Sequence, residues 1–211
     1  MKTIYIAILL LLGTSAFAND DKYYEQMGKQ IQNVYTAKTA EQLQDAINAF
    51  DRIAQVEKSK WEPLYYSAFG SIMLATREAD GAKKDSYLDQ ALAQIEKAKA
   101  IAPAESELVA LEGFVHMIRV TVDPATRGPQ YSGLSMQAFR KALGLNANNP
   151  RALALMAQMQ FGTAQFFGSS TAEACGLARR AQEQFSLYKS ENPLAPVWGK
   201  EMNAGLMKSC Q

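Results

Sequence analysis

Few residues in this 211-residue chain have the types and spacing needed for catalysis or metal binding. The chain has one histidine, His116, and two cysteines, Cys175 and Cys210, which is too little to build a zinc site. No serine, threonine or cysteine has a recognisable base at a meaningful spacing, and no G-x-S-x-G motif is present. We therefore predict that the protein is not an enzyme, with no catalytic residue, no metal ligand and no cofactor. His116 is interpreted as an aromatic packing residue within a helix.

One segment rich in proline and glycine interrupts an otherwise helical pattern. Residues 120–133 read V-T-V-D-P-A-T-R-G-P-Q-Y-S-G. Proline disfavours helix in the residue before it, so Asp123 is expected to end a helix, and residues 121–132 are expected to form a loop. Arg127 and Tyr131 are the large side chains of this loop. Either they hold the loop against the fold, with Arg127 paired to an acid, or they form the lip of a groove, with Arg127 binding a carboxylate of the ligand.

Aromatic residues form the second candidate site. The set contains Trp61, Tyr65, Tyr66, Tyr131 and Trp198. These side chains either line a pocket for a small molecule or pack between helices. We treat Trp61, Tyr65 and Tyr66, together with Arg127 and Tyr131, as candidate partner-binding residues.

The N-terminus has the pattern of a signal peptide. Lys2 is followed by an apolar run over residues 4–12 and by Ala16-Phe17-Ala18, which is a charged start, a short hydrophobic core and an A-x-A cleavage site. The run is shorter than the roughly 20 apolar residues of a membrane helix. We predict cleavage near Ala18, a mature chain that begins at Asn19, a periplasmic or secreted location and no stable membrane insertion.

The charge of the predicted mature chain argues against nucleic-acid binding. Residues 1–18 contain one lysine and no acid, so 21 basic and 21 acidic residues remain. A nucleic-acid-binding protein should show a basic excess. We therefore expect a protein or peptide partner, or a small molecule, rather than a nucleic acid.

The elements that must position these residues are helices. Alanine, leucine, glutamine, glutamate and lysine dominate the chain, and these residues favour helix. Capping-box patterns begin at Thr39 and at Ser170. The predicted helices are 20–36, 40–57, 61–78, 86–101, 105–120, 132–146, 150–166, 171–190 and 196–209.

Three of these segments share a pattern of small and large residues. Small, large and small residues recur in the same frame in two helices: Ala91, Ile95 and Ala98; Ser135, Phe139 and Ala142. The same frame in a third helix gives Ala46, Phe50 and Ile53, in which Ile53 takes the place of the second small residue. Pro103 ends one of these helices, Trp61-x-x-Leu64 resembles the start of a repeat, and Gly113 occupies a close-contact position. The pattern is typical of a tetratricopeptide repeat, in which small residues let two helices approach and the large residue fills the groove. Successive first helices start about 45 residues apart rather than 34, and we assign the excess to insertions near 79–84 and at 121–132.

A closer resemblance is carried by several short strings. V-D-P-A-T-R-G-P-Q-Y, N-N-P-R-A, F-F-G-S-S, A-P-V-W-G-K, W-E-P-L-Y-Y and K-K-D-S-Y-L-D-Q-A resemble a family of exported bacterial tetratricopeptide-like proteins of unknown function. The resemblance implies an α-helical repeat fold and no known activity.

The predicted fold is an all-α, tetratricopeptide-like α-solenoid formed by residues 19–211 as a single domain, with about four helix pairs and a C-terminal capping helix, 196–209. Its apolar stripe would contain Trp198, Met202, Leu206 and Cys210. If this helix folds back on helix 171–190 about a turn at Asn192–Pro193, Cys175 and Cys210 come level, so we predict a disulfide between them.

Two functions follow from this fold. In the first, the protein is an exported, non-catalytic interaction module, a scaffold or adaptor that binds a peptide or protein on the groove of its repeats. In the alternative, it is a periplasmic accessory protein that binds a small molecule in an aromatic-lined pocket.

Overall fold

The computed structural model describes the backbone of residues 13–210 and the side chains of residues 20–210. The predicted signal peptide, 1–18, and its cleavage site therefore lie outside the residues whose side chains are described. Helices within this part of the chain are α1 (Gly13–Thr36), α2 (Ala40–Val56), α3 (Glu62–Arg77), α4 (Gly81–Ile101), α5 (Ser106–Val120), α6 (Pro124–Leu145), α7 (Pro150–Phe167), α8 (Ala172–Leu187) and α9 (Lys200–Lys208). The fold is all-α, as predicted, and no strand occurs between residues 13 and 210. No helix in this range has the length and apolar character required to cross a bilayer.

Consecutive helices pack as four pairs, α1/α2, α3/α4, α5/α6 and α7/α8, and α9 packs on α7 and α8. The first helices of the pairs also contact one another, α1 with α3, α3 with α5 and α5 with α7. The backbones of the second helices do not approach one another in this way in the described part of the chain, and these helices meet through long side chains such as Gln94 of α4, which donates to Asp51 of α2 (2.9 Å). The array therefore curves with the first helices on its inner side, which we call the inner face.

The repeat pattern identifies the residues at the helix interfaces. Ala91, Ile95 and Ala98 of α4 are fully buried, as are Phe139 and Ala142 of α6. Gly113 of α5 lies directly against the ring of Phe139, where an added Cβ would collide with the ring. The absence of a side chain at Gly113 thus sets how closely α5 and α6 approach.

The prediction of a loop at 121–132 is wrong, because helix α6 already begins at Pro124. Asp123 is its N-cap and accepts a hydrogen bond from the backbone N–H of Thr126 (3.2 Å), while proline at the first helical position removes an N–H that has no partner there in any helix. Pro129 lies inside α6 at the cost of one backbone hydrogen bond. Only Thr121–Asp123 connects α5 to α6.

The excess length over a 34-residue repeat therefore lies in helices and not in inserted loops. Helix α4 likewise starts at Gly81, five residues earlier than expected, because the Asp80 side chain accepts a hydrogen bond from the N–H of Lys83 (2.8 Å). Both second helices gain at least one turn at their N-termini. Their extra turns lie next to each other, since Arg127 of α6 binds Asp85 of α4.

The two predicted capping boxes have different outcomes. The box at Thr39 is confirmed, with reciprocal hydrogen bonds between Thr39 and Gln42. The box at Ser170 is wrong: α8 begins at Ala172 with Thr171 as its N-cap, and no side-chain cap forms. Ser170 instead accepts a hydrogen bond from the N–H of Ala172 at 3.3 Å.

The C-terminal region differs most from the expectation. Helix α8 ends at Leu187, and α9 does not begin until Lys200. Residues 188–199 between them form no regular helix, and we call this segment the strap. Trp198 therefore belongs to the strap and not to an apolar stripe of α9. Gly199, the last residue of the strap, has φ 104°, a backbone conformation that favours glycine.

Candidate functional site: the inner face and the strap

Aromatic side chains cover the inner face. They come from α1 and α3 at one end and from α5 at the other: Tyr35, Tyr65, Tyr66, Phe69 and Phe114. Tyr35 contacts the rings of Tyr66 and Phe69 edge to face, with centroids 6.1 and 5.8 Å apart. This arrangement depends on the pairing of helices, because the stacked ring of Phe50 from α2 supports Tyr66 from behind (5.5 Å).

The strap lies across this face. From α8 it reaches past α7 and α3 to α1 and then returns to α9. The hydroxyl of Tyr66 donates a hydrogen bond to the carbonyl of Leu194 (2.7 Å), and the amide of Asn192 donates to Glu62 (3.0 Å). The N–H of Val197 donates to the hydroxyl of Tyr35 at 3.4 Å. Leu194 is only 4% exposed, so the strap buries apolar surface of the inner face.

Trp198 occupies a flat slot between two phenylalanines. Its indole stacks on Phe69 and on Phe114, with centroid distances of 5.1 and 5.7 Å and interplanar angles of 28° and 24°. The indole N–H donates to the hydroxyl of Tyr65 (2.9 Å). Offset stacking of this kind is favourable beyond simple burial. The slot accepts one planar ring system and offers it a polar anchor at its edge.

A buried ion pair lies beside the slot. The Nε and Nη2 atoms of Arg151 donate to the two carboxylate oxygens of Glu107 at 2.7 and 2.8 Å, and Arg151 is 1% exposed. Its remaining terminal nitrogen, Nη1, makes only a long contact of 3.5 Å with the carbonyl of Trp198. The ring of Tyr188 at the start of the strap covers the guanidinium at 4.5 Å.

Burial controls the protonation of these groups. It raises the pKa of Tyr65 and of Tyr66, and that of Tyr35 as well, so the three hydroxyls stay protonated and can act as hydrogen-bond donors. Burial alone would lower the pKa of Arg151, but the Glu107 carboxylate more than compensates and the pKa is raised. The inner face thus combines neutral hydroxyls with a guanidinium that stays charged beside the Glu107 carboxylate.

The structure brings part of the predicted aromatic set together. Tyr65 and Tyr66 are fully buried and hold the strap, and Trp61 packs edge to face on Tyr65 (5.7 Å). Trp198 completes this group. Tyr65 and Tyr66 therefore contact a segment of their own chain in the structure.

Arg127 and Tyr131 lie elsewhere. Nη1 of Arg127 is 2.7 Å from both carboxylate oxygens of Asp85, the pairing with an acid that was one of the two interpretations. Tyr131 stacks on His116 (6.1 Å), and the guanidinium of Arg119 lies 5.6 Å from its ring centre. The described ion pairs and ring contacts of Asp85, His116 and Arg119 are with one another, with Asp89 and with Arg127 and Tyr131, not with the strap, so this cluster is separate from the slot.

The disulfide joins the two helical segments on either side of the strap. Cys175 of α8 and Cys210, two residues beyond α9, are joined in the structure, with their Cα atoms 5.6 Å apart. The turn at Asn192–Pro193 that suggested this pairing is part of the strap instead. Asn203 of α9 adds a hydrogen bond to the carbonyl of Ala178 (3.0 Å). These contacts fix α9 on α8, so both ends of the strap are anchored.

Two open cavities lie outside the inner face. One, of about 510 Å³, lies between α1 and α2 and is lined by Lys22, Lys29 and Arg52 together with Ile53 and Val56. The other, of about 460 Å³, lies where α6, α7 and α8 meet. Nearby in the chain, Phe166 and Phe167 are 70% and 74% exposed. No group of three or more histidine, cysteine, aspartate or glutamate side chains that could bind a metal is found among residues 20–210.

Sequence reasoning missed the roles of Glu107, Arg151 and Phe114. One signal for Arg151 was available. Arg151 follows Asn149 and Pro150 in the first turn of α7, where a cation is disfavoured by the positive end of the helix dipole. A basic residue at that position indicates a specific partner, here the carboxylate of Glu107.

No protein-family model and no curated protein matches the chain. Among solved structures, the chain is similar to the HusA haemophore from Porphyromonas gingivalis, with 26% sequence identity and a TM-score of 0.80. The match covers 90% of this chain and 92% of that chain. The similarity therefore includes nearly the whole all-α array and not a single helix pair.

Proposed function

We propose that this protein is an exported, non-catalytic binding protein whose inner face takes a small, flat, largely apolar ligand, with haem as the first candidate. The observation that carries the proposal is the slot between Phe69 and Phe114, which holds a planar ring system. The similarity to a haemophore, a protein that carries haem, supplies the candidate ligand. This is the small-molecule alternative of the sequence analysis, and it places the ligand among the predicted aromatic residues.

The chemistry of the inner face suits such a ligand. Phenyl rings stack on a flat apolar body, tyrosine hydroxyls bind its polar groups, and a guanidinium binds a carboxylate through parallel hydrogen bonds. Nη1 of Arg151 makes only a long contact, 3.5 Å, with the carbonyl of Trp198. Export is supported by the predicted signal peptide and by the disulfide, since disulfides persist in oxidising compartments.

A second candidate function is binding of a peptide or protein by a tetratricopeptide-like scaffold. It is favoured by one observation: the inner face already holds an extended segment, the strap, through hydrogen bonds to the backbone at Leu194 and Val197. A peptide partner would have to compete with that segment.

The test is a titration of the mature protein, residues 19–211 with the disulfide intact, with haemin. We expect a saturable change in the Soret absorbance and co-elution of haemin with the protein in gel filtration. A variant with both Phe166→Ser and Phe167→Ser controls for adsorption on the exposed phenylalanine pair, and we expect it to bind like the wild type. Absence of saturable binding by the wild type would contradict the haem proposal. Loss of binding only in the double variant would move the site to α7.

A further inference from the structure

Several contacts of the strap with the inner face resemble those of a bound ligand. A flat indole fills the slot, and its N–H binds the Tyr65 hydroxyl. A backbone carbonyl accepts from Tyr66, and a second carbonyl lies at Nη1 of Arg151. Each polar group that a ligand would use is thus occupied by an atom of the strap.

We propose that Trp198 occupies the ligand site in the free protein, and that a flat, carboxylate-bearing ligand enters the slot between Phe69 and Phe114 when the strap leaves it. This inference rests on the proposed function and adds the way in which the site is opened. In the occupied state the ligand body stacks where the indole now lies, and a ligand carboxylate replaces the carbonyl of Trp198 at Arg151.

The strap is built to leave without unfolding the repeats. It contains no regular helix, and Val197 next to Trp198 is 68% exposed. Only two of its hydrogen bonds to the tyrosines, at Leu194 and at Trp198, are shorter than 3 Å. The walls of the slot belong to α3 and α5, which stay packed in their own helix pairs.

The helices on either side of the strap remain fixed while the strap moves. The Cys175–Cys210 disulfide holds α9 on α8, and α8 itself packs on α7. A tethered segment has a high effective concentration at its site, so the strap returns when the ligand leaves. It also weakens the apparent affinity, because a ligand binds only to the fraction of molecules in which the slot is open.

This competition predicts that removing the aromatic side chain of Trp198 from the slot strengthens ligand binding. Trp198→Ala removes the competitor and leaves Phe69, Phe114 and the tyrosines in place. We expect it to tighten haemin binding by about tenfold or more, because the open fraction rises. Phe114→Ala removes a wall of the slot and should weaken binding by at least tenfold. Phe166→Ala, an exposed aromatic of α7, is the matched control and should leave the affinity unchanged.

A second measurement needs no variant. Hydrogen–deuterium exchange of the wild type, followed by mass spectrometry, should show that peptides covering residues 188–199 lose protection when haemin is added. Peptides from α3 and α5 should keep theirs.

The outcomes separate the two proposals. If the wild type binds haemin but Trp198→Ala binds equally or more weakly, or the strap keeps its protection, the proposed displacement of Trp198 is wrong while the proposed function remains. If neither the wild type nor Trp198→Ala binds haemin, both proposals are overturned. If Trp198→Ala fails to fold, the exchange experiment on the wild type decides.

Discussion

Arg151 and Glu107 form a two-point ion pair that joins α7 to α5 beneath the strap, with both side chains almost fully buried. The pair connects two adjacent repeats at the point where the strap begins and ends. Its removal should therefore affect both the stability of the array and the position of the strap.

The first prediction concerns this pair. Arg151→Met should lower the free energy of unfolding by about 3–5 kcal/mol, because it leaves the Glu107 carboxylate buried without a counter-charge. For a chain of this length that corresponds to a fall in Tm of roughly 6–20 °C. Combining Arg151→Met with Glu107→Leu should recover much of the loss, since no buried charge remains. A double variant no more stable than the single one would contradict this account, and thermal melts followed by circular dichroism provide the measurement.

The second prediction concerns the disulfide. Cys175→Ser together with Cys210→Ser should lower the free energy of unfolding by about 3–4 kcal/mol, because the bridge closes a loop with a sequence separation of 35 and so restricts the unfolded chain. Reduction of the wild type should have the same effect, and it should not change the melting of the double variant. Mass measurement of the exported protein without reductant should find both thiols blocked. Two free thiols would remove the basis of this prediction.

The third prediction uses the contact between Gly113 and Phe139. Gly113→Ala should destabilise the protein by about 1–3 kcal/mol, because the added methyl group overpacks the α5/α6 interface. Gly133→Ala is the matched control: Gly133 lies inside helix α6, and nothing lies within 4 Å of an added Cβ. There the better helix former should stabilise by roughly 0.5–1 kcal/mol. Urea unfolding distinguishes the two, and equal effects of both substitutions would argue against close approach at Gly113.

The fourth prediction concerns Arg127. Its ion pair with Asp85 is partly exposed, with 31% and 24% of the side chains accessible, so Arg127→Ala should lower the free energy of unfolding by only about 0–1 kcal/mol. Because Arg127 binds Asp85 of α4 and no residue of the slot, the substitution should not change the affinity for haemin. Arg151→Met tested in parallel should weaken haemin binding. A loss of affinity in Arg127→Ala would instead support the groove-lip interpretation of the sequence analysis.

The fifth prediction is a pH dependence of stability due to His116. Burial, helped by the nearby charges of Arg119 and Lys99 and opposed by Glu112, lowers the pKa of His116 below its usual value of 6.5. The unfolded chain therefore takes up a proton at a higher pH than the folded protein does. Stability is reduced as the pH falls below about 6.5. His116→Gln should show a smaller loss between pH 7.5 and pH 5 in urea unfolding. An identical pH profile for wild type and variant would exclude a role for His116.

The helix pairs could be predicted from the sequence because their interfaces are local. Ala91, Ile95 and Ala98 lie on one face of a single helix and are fully buried, and this helix, α4, packs on α3 and α5, its neighbours in the chain. Small and large residues at helical spacing therefore carry enough information to place the contact. The same reasoning located the close approach at Gly113.

The start of α6 could not be predicted from residue preferences alone. Proline and glycine at 124–133 suggested a loop, but a capping aspartate directly before Pro124 is also the start signal of a helix. The long-range ion pair from Arg127 to Asp85 then holds the extra turns against α4. That contact spans 42 residues and leaves no local pattern.

The strap is the least predictable part for the same reason. Its sequence has no periodicity, and its position is set by Tyr65, Tyr66 and Glu62, about 130 residues earlier in the chain. The sequence indicated that Trp198 and the tyrosines were candidates for one site. The sequence contained nothing to show that Trp198 would itself fill the site formed by the other aromatic residues.

Contacts from the strap to α1 and α3 also change how the array should fold. In a simple repeat array each unit touches only its neighbours, so unfolding can begin at one end and proceed repeat by repeat. Here Val197 reaches Tyr35 across 162 residues of chain, which ties the last repeat to the first. The ends of the array are thereby coupled, and partial unfolding from the N-terminal helices would also release the strap. Such long-range contacts raise the contact order, so the protein should fold more slowly than a linear helical array of the same length.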